Sequence, residues 1–262
     1  MTDETKPLIF TTGLTKVYED VKAVESLVLS VDSGRVLGLV GPNGAGKTTA
    51  MRCMAGIIPA TEGYIEIAGY DLSAQPLAAK SRLAFVPDTP HLFDYLTVEE
   101  HLQFAGRIHQ IEDIEPRIHD LLQEFDLLDK KNHLPQALSR GMKQKVAICL
   151  GFLHDPVALF LDEPLTGLDP RAIRRMKDAI GQRAEQLGAA VIVSSHQLEL
   201  VDAICDEIFI IDGGKKVVAG TVEQIRADLV GLPEDPTLED IFFRLTEKKT
   251  EDQSLAQENP EE

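Results

Sequence analysis

The chain has 262 residues, 44% hydrophobic and 26% charged, and its 26 Lys+Arg against 43 Asp+Glu leave a formal net charge of −17. A fold of this size buries roughly 70–75% of the surface its unfolded chain would expose, which excludes disorder for most of the sequence. Its longest apolar runs, 157–161 and 189–193, are about five residues against the roughly 20 that cross a bilayer, so no transmembrane helix is expected; nor is a nucleic-acid partner, whose phosphates need clustered Lys and Arg.

The first ten residues, MTDETKPLIF, lack the basic start and apolar stretch of a signal peptide, so the chain is expected to stay where it is made. Residues 8–12, 24–31 and 64–67 alternate like half-buried antiparallel strands, with a turn at 59–63 before the last. Residues 36–40, 157–161 and 191–194 are continuous apolar runs that read as buried central strands, each followed by a polar or glycine-rich loop and a helix. A further strand, 208–211, runs into Gly213-Gly214 and a hairpin return at 216–219. This alternation predicts an α/β fold on a largely parallel sheet.

Residues 88–135 offer two helices and no strand. Thr97 and Glu100 are spaced as a capping box, and Ile114, Ile118, Leu121, Leu122 and Phe125 form a helical stripe. The segment reads as a helical lobe set into the core and carries 11 acids against four bases, or −7. Residues 247–262, with six acids and two lysines, read as a solvated disordered tail. Cys53, Cys149 and Cys205, widely spaced and in apolar helical contexts, are expected to be inert buried thiols in a reducing cytosol.

The chemistry begins after the 36–40 strand, at Gly41-Pro42-Asn43-Gly44-Ala45-Gly46-Lys47-Thr48-Thr49, followed by a helix over 50–57. Its glycines let successive backbone N–H groups converge, the helix N-terminus adds partial positive charge and Lys47 adds a full one. Such a loop binds the β- and γ-phosphates of a nucleotide, and the Thr48 hydroxyl would meet the Mg²⁺ that bridges them. The 157–161 strand ends in Asp162-Glu163-Pro164. Asp162 would ligate or orient Mg²⁺ through water, and Glu163, facing elsewhere because neighbours in an extended chain diverge, would polarise an attacking water. Ser194-Ser195-His196 ends another buried strand on the edge where ligands of α/β sheets gather, which brings His196 toward the γ-phosphate. The other six histidines read as surface or hydrogen-bonded filler.

Leu138-Ser139-Arg140-Gly141-Met142-Lys143-Gln144-Lys145, between the helical lobe and the Asp162 strand, resembles the LSGGQ signature of ATP-binding-cassette (ABC) transporter subunits. The resemblance runs from about residue 8 to 246 and rests on the order of phosphate loop, helical lobe, signature, Asp-Glu strand, Leu165-Thr-Gly-Leu-Asp169 as the D-loop, and His196. It implies a P-loop NTPase core with a mostly parallel sheet, an antiparallel β subdomain and an inserted helical lobe at about 88–155. A C-terminal helical segment at about 222–246 would complete an ATPase domain of residues 1–246. It further implies that ATP and Mg²⁺ are the cofactors and that Ser139, Arg140 and Gly141 meet ATP held by a second copy or a paired cassette. Tyr18 would stack on adenine; the alternative is an ordinary strand tyrosine.

The sequence departs from the family pattern at three places. Asp88, in Phe85-Val-Pro-Asp88, replaces a glutamine at the junction of core and lobe and would meet Mg²⁺ or water. Arg140 replaces the signature's second glycine, and Met142 its glutamine. Hydrolysis in both copies is expected despite these changes. Thr237-Leu-Glu-Asp-Ile-Phe-Phe-Arg-Leu-Thr246, Val86-Pro-Asp-Thr-Pro90 and Gly141-Met-Lys-Gln-Lys145 are similar to cassettes of ABC-2 and Ecs-like exporters. The resemblance therefore implies an exporter ATPase on the cytoplasmic face of the membrane, driving a separate multi-span subunit. An importer subunit and a soluble cassette acting on a macromolecular assembly are the alternatives.

Overall fold

A computed structural model describes residues 6–196, 198–228 and 240. In chain order its elements are β1 (Ile9–Tyr18), β2 (Val21–Val31), β3 (Val36–Val40), α1 (Lys47–Met54), β4 (Glu62–Ile67), β5 (Tyr70–Asp71), α2 (Pro76–Lys80) and β6 (Leu83–Val86). There follow α3 (Val98–Ile108), α4 (Ile114–Glu124), α5 (Arg140–Phe152), β7 (Ala158–Asp162), α6 (Pro170–Glu185), β8 (Ala190–Ser195), α7 (Leu198–Asp202), β9 (Glu207–Asp212), β10 (Lys215–Gly220) and α8 (Val222–Asp228). The closing motif at 237–246, apart from Asp240, and the acidic tail lie outside the described residues.

The strands form two sheets. A six-stranded sheet runs β10-β9-β3-β8-β7-β6, parallel throughout except for the β9–β10 hairpin, and a four-stranded antiparallel sheet runs β2-β1-β4-β5. The predicted mixture of a parallel core sheet with an antiparallel sheet is therefore present. Sequence reading missed β6 and β5. β6 is only four residues long and stops at Pro87, which cannot donate to a ladder, so it shows no period of its own; its pairing with β7, Leu83 opposite Ala158, is what makes it a strand.

The central strands are buried on both faces, which is why they read as unbroken apolar runs. Alternate residues supply opposite cores. Leu37, Leu39, Phe160 and Ile192 pack with α1 and the antiparallel sheet, whereas Val36, Leu159, Leu161, Val191 and Val193 pack with the helices α3 to α6. The capping box closes at the start of α3: the Thr97 hydroxyl accepts from Glu100 N–H at 3.3 Å, and the Glu100 carboxylate accepts from Thr97 N–H at 2.7 Å. The stripe Ile114, Ile118, Leu121, Leu122 and Phe125 is buried, so the lobe shares a core with the parallel sheet.

Cys53 and Cys149 are buried in helices, but Cys205 sits in the turn after α7 and is half-buried. Burial pushes the Cys53 thiol up to about 11 and raises the other two as well, so none is poised as a thiolate. Among the described residues no helix is long and apolar enough to cross a membrane.

Candidate active site

The phosphate loop lies between β3 and α1, and two of its glycines are required by close contact, Gly46 by its dihedral as well. Gly46 sits at φ 102°, where an added Cβ would approach the Ala23 carbonyl oxygen to 2.4 Å, and a Cβ on Gly41 would meet the Ile211 carbonyl oxygen at 2.2 Å. The loop is thus pressed between the antiparallel sheet and the β9 end. Lys47 opens α1 and is 93% buried, its side chain turned back so that Nζ donates to the carbonyls of Gly41 at 2.6 Å and Pro42 at 3.1 Å. Burial lowers its pKa, while Glu163 and Asp162 pull it back up.

Asn43, Gly44, Ala45, Gly46, Lys47, Thr48 and Thr49, with Ala23, Asp88 and Glu163, line one cavity of roughly 280 Å³. Gly41 and Pro42 are not on its wall; they shape it from behind by accepting from Lys47. The adjacent parallel strands β3, β8 and β7 each deliver one piece to this edge of the sheet.

The two carboxylates diverge. Asp162, 1% exposed, accepts at Oδ1 from the Thr48 hydroxyl at 3.1 Å and from the Ser194 hydroxyl at 2.7 Å. Glu163 turns away at φ 47°, a left-handed backbone uncommon for a non-glycine residue, and both its carboxylate oxygens stand 2.9 Å from His196 Nδ1. Since a carboxylate only accepts, Nδ1 carries the proton. His196 therefore reaches the cavity through Glu163. Thr48 and Asp162 offer hard oxygens side by side, the donor chemistry that magnesium takes, so the residues present fit that ion.

Ser194 is the residue that sequence reading missed. Fully buried in β8, its hydroxyl donates to Asp162 and accepts from Glu163 N–H at 3.0 Å, while its carbonyl also faces that N–H at 3.2 Å. One side chain thereby holds the Asp162 carboxylate and the turned Glu163 backbone. The only signal in the sequence was a hydroxyl in an otherwise apolar run.

The signature residues lie elsewhere. Ser139 caps α5, its hydroxyl accepting from Met142 N–H at 3.3 Å, and neither Ser139, Arg140 nor Gly141 lines the cavity. Asp169 caps α6 by accepting from Arg171 N–H at 2.9 Å and Ala172 N–H at 3.0 Å, and those backbone donors hold its carboxyl below the ordinary value. Tyr18, half exposed at the end of β1, is also off the cavity wall, and the ammonium of Lys16 sits 4.9 Å from its ring centroid. Asp88 does line the cavity, and its Oδ1 lies 3.5 Å from the Arg140 guanidinium.

Comparison with known proteins places this geometry in a family. Residues 24–166 match the profile described as ABC transporter, more than half of the chain. The chain is 32% identical over 243 residues to the ABC-type transporter ATP-binding protein EcsA of Bacillus subtilis, covering 92% of this chain and 97% of that one. It is 36% identical over 208 residues to the SkfA peptide export ATP-binding protein SkfE of the same organism, covering 78% and 84%. A solved ATP-binding subunit of an ABC transporter superposes with a TM-score of 0.86 at 34% identity, over 91% of this chain and 99% of that one. A phosphate loop backed by a buried Asp-Glu strand end and followed by a signature helix has its place among these relatives: the chain belongs to the ABC transporter family, as an ATP-binding and ATP-hydrolysing subunit.

Proposed function

We propose that this subunit drives an exporter, working at the cytoplasmic face of a separate multi-span membrane subunit and pairing with a second cassette around ATP. The observation that carries the pairing is the separation of labour in one chain. The cavity wall carries Lys47, Thr48 and Glu163, with Asp162 behind Thr48 as its hydrogen-bond partner, whereas Ser139 and Gly141 lie off that wall, available to the phosphates of another copy. Export is supported by the likeness to the peptide-export protein.

The chain's own residues divide the work. Backbone N–H groups of Gly44, Gly46, Lys47 and Thr48 cradle the phosphates at the α1 N-terminus, and Lys47, already turned toward the loop, neutralises their charge. Glu163 orients water for in-line attack on the γ-phosphorus and takes its proton as the bond to ADP breaks. His196 fixes the rotation of that carboxylate through Nδ1–H and, as the imidazolium, also donates from Nε2–H to the γ-phosphate, whose oxygens only accept. Thr48 and Asp162, with Asp88 as a further oxygen on the wall, would hold magnesium, which would supply positive charge against that of the phosphates. Tyr18 is the adenine platform in this reading, which requires Lys16 to leave its ring.

The acidic lobe is the surface for a basic cytoplasmic loop of the membrane subunit. Glu100 is engaged in the α3 cap and Glu99 pairs with Lys131 at 3.2 Å, so the acids to test are Asp94, Glu112 and Glu115. Pull-down from detergent-solubilised membranes should recover a multi-span protein, with association weakened by salt and by neutralising those three acids; recovery of ribosomes or DNA instead would overturn transport. Purified protein should turn over ATP in a Mg²⁺-dependent way that Glu163→Gln abolishes, and ATP binding without such turnover, alone or with the partner, would overturn the catalytic assignment.

A further inference from the structure

Two of the three places at which this chain departs from the family pattern touch each other. Asp88 and Arg140 are 52 residues apart, yet the carboxylate on the cavity wall and the guanidinium on the signature turn stand 3.5 Å apart. The rest of that junction is closely packed. A Cβ on Gly141 would meet the Gly167 carbonyl oxygen at 2.7 Å, so the turn packs directly on the loop after Glu163. One helical turn on from Arg140, the buried Gln144 donates to the Pro87 carbonyl at 3.2 Å and ties α5 to the segment that carries Asp88. Arg140 itself lies across Gly167, its Cδ 3.7 Å from where a Cβ there would be. The backbone on both sides is therefore held, and the long exposed arginine side chain is the part free to move.

We propose that Arg140 is a positioning residue which Asp88 holds in cis until two cassettes pair. The proposal rests on the pairing reading above. In a closed pair both members of the ion pair meet stronger partners. Arg140, beside Ser139 and Gly141, faces the phosphates of the other copy with a planar donor fork that suits them. Asp88, on its own cavity wall, faces the cation that accompanies the nucleotide. Closing thus exchanges one solvent-exposed ion pair for two contacts across the site, and the cis pair raises the ATP concentration at which the exchange occurs.

The test is a double-mutant cycle on ATP-dependent pairing, in a Glu163→Gln background that lets the pair accumulate. Light scattering gives the ATP concentration at half-maximal dimer for the parent, Asp88→Gln, Arg140→Gln and the double variant; thermal melting checks that each is folded. An exposed ion pair is worth little, so Asp88→Gln should lower the half-point by about two- to fivefold when Arg140 is present; in the Arg140→Gln background, where only its contact with the cation is lost, it should leave the half-point unchanged or raise it. An equal fall in both backgrounds would mean that Asp88 acts directly on the phosphates, and a larger fall without Arg140 would mean that the arginine merely neutralises it; either overturns the latch and leaves pairing intact. A parent that binds ATP but forms no dimer overturns the pairing reading, and the latch with it.

Discussion

Around the phosphate cavity the reactive side chains already hold one another: Lys47 on the loop carbonyls, Thr48 and Ser194 on Asp162, Ser194 on the Glu163 backbone, His196 on the Glu163 carboxylate. Asp162, Ser194 and Lys47 are buried, so their hydrogen bonds form in a low dielectric and fix geometry strongly. The signature turn is also shaped, by the Ser139 cap and the close packing on Gly167, but it displays Ser139 and Arg140 to solvent. Buried mutual hydrogen bonds make one half of a site ready in the single chain. In the proposed pairing, the exposed groups on the signature turn acquire their use from a neighbour.

Substitutions on the cavity side should therefore damage chemistry within one subunit, and Glu163→Gln should do so most. Phosphate-release assays should show turnover falling by about 10²–10⁴ with ATP still bound, and retention of wild-type turnover would break the assignment of Glu163. Lys47→Ala comes next. It should lower kcat by about 10²–10³ and weaken ATP binding too, because the ammonium serves ground and transition states alike; unchanged affinity in a nucleotide titration would contradict a phosphate role.

Ser194→Ala sharpens the contrast, because it leaves every titratable group in place. Loss of the hydroxyl should cost about 1–3 kcal/mol in chemical unfolding and lower turnover by about tenfold as Asp162 and the Glu163 backbone lose a shared anchor. Equal turnover with reduced stability would show that Ser194 is only structural. The smallest effect lies on the signature side, at Asp169. Its carboxyl is held below the ordinary 3.8 by the N–H groups of Ala172 and Arg171, so its stabilisation is full above that value and lost as pH falls through the lowered folded-state value. Asp169→Asn keeps an acceptor that does not titrate, so the wild type should lose its advantage on acidification in melts between neutral pH and pH 3. A gap that does not narrow would mean that the cap does not act as a carboxylate.

Much of the parallel sheet and the phosphate loop was legible because its signals are local: an apolar run, glycines, Lys-Thr, then a helix. Asp162 and Glu163 were legible for the same reason, as acids closing a buried strand. The fate of each side chain was not. That His196 addresses Glu163, that Ser194 links β8 to β7 and that Asp88 meets Arg140 are all facts about residues more than 30 positions apart, set by strand order and helix packing. β6 was hidden in a subtler way, since four residues before a proline carry no periodicity and become a strand only by lying beside β7.

Strand order also bears on when the site comes into being. β3, which leads into the phosphate loop, pairs on one side with β8, Val36 opposite Val191, and on the other with β9, Leu37 opposite Glu207. During synthesis from the N-terminus the loop is made early, yet the strands that flank its base emerge only after the helical lobe, the signature and both carboxylates have been translated. Closing so long a chain segment is slow and entropically costly. A nascent chain that has not yet exposed β8 thus lacks the neighbour that flattens β3 into the sheet, and nucleotide capture becomes one of the last events of folding.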